Sequence, residues 1–330
     1  MKHILPSLLS AASVVILLLT SAARGQGFTP IDLGDSRQNE ATTTDGQELV
    51  AEAARRVFDE AAIAADLRYT IEAFGQELVG TGRYLQLGAG ANKQLRLELK
   101  MQVAGKPATL QEICGEQYYW IRRDVPPSPP TLGRVNLTNF RSTLAMRLDE
   151  PRQIMPTDGW IMLGGLARLL ASLEQNFRFG PAEARSLSFN AGGGQVERLP
   201  IWIVEGAWKK DRLAAVSGRD ADKLRPGELP EQLPDRVRLV LGRTTDVLPL
   251  FPYRVTYLRL PKPKAERAPA DDKASAQAER PRELLSLELF NVHRKGDIDP
   301  GEFDYSPAGQ QLQVQDLTTA YLQRYADQRR

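Results

Sequence analysis

Leu95-Arg96-Leu97-Glu98-Leu99-Lys100-Met101-Gln102-Val103 alternates apolar and polar side chains without a break. A strand turns successive side chains to opposite faces, so Leu95, Leu97, Leu99, Met101 and Val103 share one face and Arg96, Glu98, Lys100 and Gln102 the other. That pattern predicts a half-buried antiparallel strand with one dry and one wet side. Similar runs flank it at 67–74, 78–87, 109–114 and 117–122, punctuated by glycines at 80, 82, 88, 90, 105 and 115. Gly105-Lys106-Pro107 and Gly115-Glu116 read as hairpin turns. Pro126, Pro127, Pro129 and Pro130 end this group of strands. A second group is predicted at 199–209, 236–242, 253–260, 284–293 and 302–305, with Gly192-Gly193-Gly194 as a turn.

Helical periods stand outside the strands. Thr44 and Gln47 have capping-box spacing, and Leu49, Val50, Ala53, Val57, Ala61 and Ala64 follow at helical intervals, predicting an amphipathic helix that covers a sheet. A shorter helix is predicted over 137–148. A third, over 159–177, carries Trp160, Met162, Leu163, Leu166, Leu169, Leu170, Leu173 and Phe177, with Thr157 or Asp158 as its cap. A helix apolar nearly all round lies buried on several sides or against a ligand. A last helix is expected over 315–325. The segment 261–282 is rich in Pro, Ala and charge and reads as a disordered loop.

The N-terminus sets the compartment. Lys2 and His3 precede an uncharged, mostly apolar run from Ile4 to Leu19, and Ser21, Ala22 and Ala23 supply small residues for cleavage. This order predicts a secretory signal over 1–23, with Gly25 as a second cut site, followed by a flexible leader over 24–44. The run is short for a membrane span and Pro6 interrupts it. No cysteine follows it to carry a lipid. The mature chain is then expected outside the cytoplasm.

Composition removes several classes of function. The chain holds one cysteine, Cys114, and past the signal one histidine, His293. Neither an internal disulfide nor a Cys/His zinc site can be built from these. With 43 Lys and Arg against 41 Asp and Glu the chain is near neutral, which argues against nucleic acid as a partner. A Ser-His-Asp triad would need His293, yet no G-x-S-x-G elbow exists, and His293 beside Arg294 and Lys295 reads as a surface residue. Cys114, inside a strand-like run, reads as packing. The acidic run from Asp297 to Glu302 has its glycine one place early for a calcium loop and reads as a polar turn. Arg236, Arg238 and Arg243 read as a solvated sheet face. Two carboxylates suffice for glycosidase chemistry, but no spacing selects a pair.

What remains is a long antiparallel sheet with apolar faces, two apolar helical stretches and interleaved aromatic residues. These fit either an ordinary core or a curved sheet whose concave side, closed by helices, holds an apolar ligand.

The order of elements resembles the LolA/LolB-like lipoprotein-carrier superfamily. The likeness covers about Thr44 to Tyr325. It is carried by the helix from Leu49 into the strands, by I-C-G-E-Q-Y-Y-W-I at 113–121, and by L-E-L-F-N-V at 287–292 with I-D-P-G-E-F-D-Y-S-P-A-G at 298–309. Phe303, Tyr305, Pro307 and Gly309 match the F-x-Y/F-x-P-x-G ending of that family's closing hairpin. The resemblance implies an unclosed half-barrel with helices in its hollow, a periplasmic or secreted location, and binding of acyl chains or lipoproteins.

The expectation is therefore one α+β domain over 45–325, a curved antiparallel sheet with helices packed on its concave side. Its function would be non-enzymatic binding of a hydrophobic ligand, a lipid or lipoprotein acyl chain, with no cofactor or metal and with peripheral membrane contact available to it. Leu97, Leu99 and Met101 would line the hollow from the sheet, and Trp160, Leu163 and Leu166 would form a helical lid. Two other readings stand beside it: an envelope scaffold or sensor that binds a protein through a sheet edge, and a hydrolase using carboxylates alone.

Overall fold

Among the described residues, thirteen strands run edge to edge in one sheet that does not close on itself, and a fourteenth short strand pairs off this path. The computed structural model describes residues 44–327 apart from 74–75, 104, 146–155, 157–158, 191–195, 221–223, 226, 231–232, 244–247, 262–280, 295–297 and 306–311. The expected signal, all of the leader but Thr44, most of the charged loop, the Gly192–Gly194 turn, the caps Thr157 and Asp158, and the motif positions Pro307 and Gly309 lie outside the described residues.

In chain order, β1 (Thr44–Asp45) leads into α1 (Gly46–Asp59). A meander follows: β2 (Ala62–Ala73), β3 (Gln76–Leu87), β4 (Gln94–Val103), β5 (Lys106–Cys114), β6 (Tyr118–Asp124) and β7 (Thr131–Asn136). Then come α2 (Leu137–Ala145), α3 (Gly165–Asn176) and β8 (Phe177–Phe179). The second meander is β9 (Pro181–Asn190), β10 (Val196–Trp208), β11 (Arg236–Gly242), β12 (Pro252–Arg259) and β13 (Arg282–His293), with α4 (Lys210–Ser217) inserted after β10. β14 (Val314–Asp316) and α5 (Thr318–Asp327) complete the described chain. The sheet order is β1-β9-β10-β11-β12-β13-β2-β3-β4-β5-β6-β7-β14, with β8 pairing β10 beside this path. The two meanders meet where β13 pairs antiparallel with β2, Leu287 opposite Tyr69 and Leu289 opposite Leu67. β14 pairs parallel with β7.

Curvature comes from bulges and glycines. Register shifts fall at Val240/Leu241, Tyr257/Leu258 and Phe290/His293, each a place where an extra residue sharpens the local twist. Gly80 and Gly82 sit on the inner face of β3. A Cβ on Gly82 would lie 1.7 Å from the Glu98 carbonyl oxygen, and one on Gly80 would lie 2.9 Å from Leu99 Cδ1. Only bare backbone lets β4 fold over β3 this tightly.

α1, α2, α3 and α5 pack inside the curve, as expected, while Leu213 of α4 joins a separate cluster with Leu229 and Leu233. Val50, Ala53 and Val57 of α1 and Leu166, Leu169, Leu170 and Leu173 of α3 share one core with Leu95, Leu97, Leu99, Leu239, Val255 and Leu287 of the sheet. Asp45 caps α1 by accepting from Gln47 N at 2.8 Å. Gln47 Nε2 donates to Glu174 O (3.0 Å) and Glu174 Oε1 (2.9 Å), while its Oε1 accepts from Phe179 N at 2.9 Å, which fixes α1 against α3 and β8. Lys93, 4 % exposed, donates to Val57 O (3.3 Å) and Phe58 O (3.2 Å) at the C-terminus of α1. Burial pulls its ammonium down to about 8, against a smaller upward pull from Asp59. A charge disfavoured in the folded state holds fewer protons there than in the unfolded chain between these two values. Stability attributable to Lys93 is therefore expected to rise as pH goes from 8 toward the ordinary lysine value. Denaturant midpoints measured from pH 7.5 to 9.5 should climb in the parent and stay flat in Lys93→Met.

Several boundaries differ from the sequence reading. The first helix stops at Asp59 and not near Ala65, because Ile63, Ala64 and Ala65 are all buried and start β2 with no alternation to mark it. The prolines at 126–130 connect β6 to β7 and do not end the sheet. Pro181–Asn190, given no element in the sequence reading, forms β9, and β10 begins at Val196, three residues before the predicted strand. Residues 302–305 are not a strand: Asp299 accepts from Gly301 N at 2.9 Å and caps a short 3-10 turn over Pro300–Phe303. That turn sets Ile298 and Phe303 over Ala64, Leu85 and Ile113 on the outer face.

Candidate ligand site

The strand that decides the fold also lines the concave face. Leu97 and Leu99 of β4 are buried at 6 % exposure and Met101 is half-buried, all on the concave side. Across β3 their partners are Tyr84, Gly82 and Gly80, and across β5 Glu112, Leu110 and Ala108.

What faces them is not the predicted lid helix. Gly159-Trp160-Ile161-Met162-Leu163-Gly164 forms turns, and α3 starts only at Gly165. Gly159, Gly164 and Gly165 have φ of +79°, +119° and +60°, a left-handed region that breaks the helical period and that side chains avoid. The apolar residues between them form a plug. Trp160 (5 % exposed), Ile161 (0 %) and Met162 (6 %) point into the core, and Leu163 is half-buried against it. The Trp160 ring stacks on Tyr84, centroids 6.0 Å apart and planes 17° apart. The plug closes on itself through Gly164 N to Ile161 O (3.0 Å) and Gly165 N to Trp160 O (3.3 Å). A Cβ on Gly165 would sit 2.7 Å from Tyr84 Oη, so the glycine also permits close approach to the sheet. Leu166, on the first turn of α3, is fully buried behind the plug.

The trough expected to be vacant is thus filled by the chain's own side chains. At one end, a pocket of about 170 Å³ opens between α1 and the loop before β12. Its walls include Val57, Ile63, Leu248 and Phe251, which belong to the same core, and Arg294 on its rim pairs with Glu60 at 2.9 Å.

Few polar groups reach the concave face. Glu112 is 1 % exposed, and its Oε1 accepts from Gly159 N at 3.4 Å. The Tyr69 hydroxyl donates to Pro156 O at 3.5 Å, just before the plug. Tyr84 Oη donates to Gln86 Oε1 (3.2 Å), and Gln86 Nε2 donates to Glu60 O (2.8 Å) behind α1. Burial raises the pKa of both phenols, with the Glu112 carboxylate adding to the effect at Tyr69. It also pushes the Cys114 thiol up to about 12. The two phenols and the thiol are neutral in this dry interior and not nucleophiles or bases at neutral pH.

The other residues weighed in the sequence fall elsewhere. His293 is exposed on β13, its Nδ1 2.8 Å from Asn291 O. Arg238 and Arg236 both pair with Glu205, at 2.6 and 3.6 Å, and Arg243 lies over the Trp202 ring at 4.7 Å. Sequence reasoning missed Glu112, Tyr84 and the glycine bracket. The signals were present: a carboxylate at a core-facing position of the 110–114 alternation, and Gly164-Gly165 inside a stretch read as helix.

No family model matches the chain, and no curated protein matches it. Solved structures that match include a DUF1329 family protein from Desulfovibrio piger, 12 % identical with a TM-score of 0.30, covering 79 % of this chain and 98 % of that one. Another is a putative outer membrane lipoprotein-sorting protein domain from Vibrio parahaemolyticus, 11 % identical with a TM-score of 0.28, covering 78 % of this chain and 96 % of that one. At such scores the likeness supports no statement about what this chain binds.

Proposed function

We propose that the concave face binds an apolar chain, a lipid or lipoprotein acyl chain, in exchange for the plug, and that the protein is a non-enzymatic extracytoplasmic carrier or sensor. The observation that carries this reading is the bracket of left-handed glycines around a non-helical, buried apolar segment. A segment that served packing alone would gain from continuing α3, since helix supplies a backbone hydrogen bond per residue. Glycines instead make both ends of the plug cheap to rotate. Leu97, Leu99 and Met101 then meet the ligand from the sheet and Leu166 from the helix, while Trp160 and Leu163 move aside. The apolar run at 4–19 supports the extracytoplasmic part.

Magnitudes are compatible with exchange. Uncovering four large apolar side chains costs about 6–12 kcal/mol, and burying a saturated chain of about sixteen carbons recovers about 12 kcal/mol. The two nearly cancel, so affinity depends on chain length. Each added methylene is expected to lower Kd about fourfold. Titration calorimetry with lysophosphatidylcholines of ten to sixteen carbons checks this; a Kd indifferent to chain length defeats the reading.

One observation favours the second reading, a protein partner at a sheet edge. β1 covers only Pro181 and Ala182 of β9, so among the described residues the outer side of 183–190 has no strand neighbour. An extended peptide could add there.

A further inference from the structure

Register gathers several connections at one end of the sheet. Ala62, which opens β2, pairs with Leu87 at the end of β3, and Leu87 pairs in turn with Gln94 at the start of β4. His293 at the end of β13 pairs with Ala64, and the loop from β11 to β12 turns at the same end, where Leu241 pairs with Pro252. α1 stops here too, at Asp59. The pocket between α1 and the loop before β12 opens among these segments, and its apolar walls belong to the core.

Phe58, in the last turn of α1, is 43 % exposed and is one of three large apolar side chains so exposed among the described residues. The others are Val79, near the opposite end of β3, and Val216 on α4. An exposed apolar side chain carries little meaning by itself; its setting does. The ring is held in place: Lys93 Nζ lies 5.0 Å from its centroid, and it borders the 3-10 turn Gly90–Asn92. Around it the outermost charges are positive. Arg55 and Arg56 share Glu52, and Arg294 pairs with Glu60 on the pocket rim. The three arginine side chains are 69 %, 45 % and 53 % exposed, against 26 % for Glu52 and 18 % for Glu60. The carboxylates lie beneath and the guanidinium groups face outward, with Asp59 an exposed exception. Arginine forks match phosphate oxygens, and an aromatic ring beside them fits the boundary between lipid head groups and acyl chains.

We propose that this rim is a docking surface for a lipid bilayer bearing anionic phosphate head groups, with Phe58 seated at head-group depth and Arg55, Arg56 and Arg294 on the phosphates. The proposal rests on the carrier reading above and adds a place of exchange to it. The pocket mouth lies within the docked rim, so an apolar chain passes between bilayer and core without crossing bulk water.

The test makes Phe58→Cys and Val79→Cys in the full chain and couples an environment-sensitive nitrobenzoxadiazole dye to each. Cys114, 2 % exposed and with its pKa pushed up to about 12, stays unlabelled. The vesicles are phosphatidylcholine alone or mixed with phosphatidylglycerol, with brominated acyl chains as quenchers. On the anionic vesicles the dye at position 58 should shift to the blue and be quenched, and the dye at position 79 should not change. Both proteins carry the apolar run at 4–19, so attachment through that run does not separate them. Arg55→Gln combined with Arg294→Gln should raise the lipid concentration for half-maximal response by roughly tenfold or more, and high salt should act in the same direction. Circular dichroism verifies that each variant folds. No response at position 58, or an equal response at both positions, overturns the docking surface; a lysolipid Kd that still depends on chain length then leaves the exchange reading standing. A response confined to position 58 in a protein that binds no lysolipid overturns the exchange reading and leaves the docking surface.

Discussion

Gly82→Ala is expected to abolish cooperative folding. The added methyl group would sit 1.7 Å from the Glu98 carbonyl oxygen and 2.7 Å from its carbon, both backbone atoms of the adjoining strand. No rotamer change relieves such a clash, since neither atom belongs to a flexible side chain. The β3–β4 pairing must open around Gly82–Leu99, in the middle of the meander. Loss of this register takes Leu97, Leu99 and Tyr84 out of the core together, and a cost above about 4 kcal/mol is expected. Gly218→Ala is the matched control. Gly218 is also left-handed at φ +65°, but a Cβ there meets nothing within 4 Å, so only the conformational cost of about 1–2 kcal/mol applies. Urea unfolding followed by far-UV circular dichroism separates the two: a shifted but cooperative transition for Gly218→Ala, and none for Gly82→Ala. A cooperative transition in Gly82→Ala close to that of the parent would mean that the sheet is less tightly curved at this point than described.

Trp160→Ala is expected to move stability and ligand affinity in opposite directions. Trp160 is 5 % exposed and stacked on Tyr84, so its removal leaves a cavity and should cost about 3–5 kcal/mol. The same cavity weakens the plug against whatever replaces it. If an acyl chain binds by displacing the plug, part of that cost disappears from the exchange, and a lysophosphatidylcholine of fourteen carbons should bind at least about tenfold more tightly to the variant. Were Trp160 simply a wall of a ligand cavity, its loss would weaken binding. Calorimetric Kd values beside a denaturant curve for each protein decide between the two. A variant both less stable and weaker in binding would contradict exchange.

The fold was legible where one face of a strand is wet and the other dry. Arg96, Glu98 and Lys100 marked β4 because their side of the sheet meets charged partners, Glu302 among them, while Leu95, Leu97 and Leu99 meet the helices. β11 and β13 were legible from alternating side-chain types, Arg236 and Arg238 against Val237 and Leu239, and Ser286 and Glu288 against Leu285, Leu287 and Leu289. Legibility failed where both faces are covered. At the start of β2, Ile63, Ala64 and Ala65 are each at most 2 % exposed, since α1 packs on one side and the Ile298–Phe303 turn on the other. Period 2 vanishes there, and small residues pass for helix. β9 was hidden by the polar spacing of Glu183, Arg185 and Ser186 near a sheet end. The candidate site divides in the same manner. Leu97, Leu99 and Met101 could be named because alternation fixes the face of a strand side chain. Trp160 and Leu163 could be named as apolar neighbours, but their conformation could not, because it depends on three left-handed backbone angles that residues other than glycine rarely adopt. Glu112 stayed invisible because its contact with the plug, through Gly159 N, joins residues 47 positions apart.

The seam between β13 and β2 has a consequence for synthesis. Asn291 Nδ2 and Asp66 Oδ2, 225 positions apart, meet across it at 2.8 Å. While a ribosome delivers the chain from its N-terminus, β2 to β7 can assemble as hairpins between neighbours, yet the far side of β2 remains uncovered until β13 has emerged. During that interval an unpaired row of amides and carbonyls borders fresh apolar surface, the species most prone to aggregate. A polypeptide built this way gains from a holding chaperone during synthesis and finishes folding slowly, because the join that unites its two halves is of high contact order.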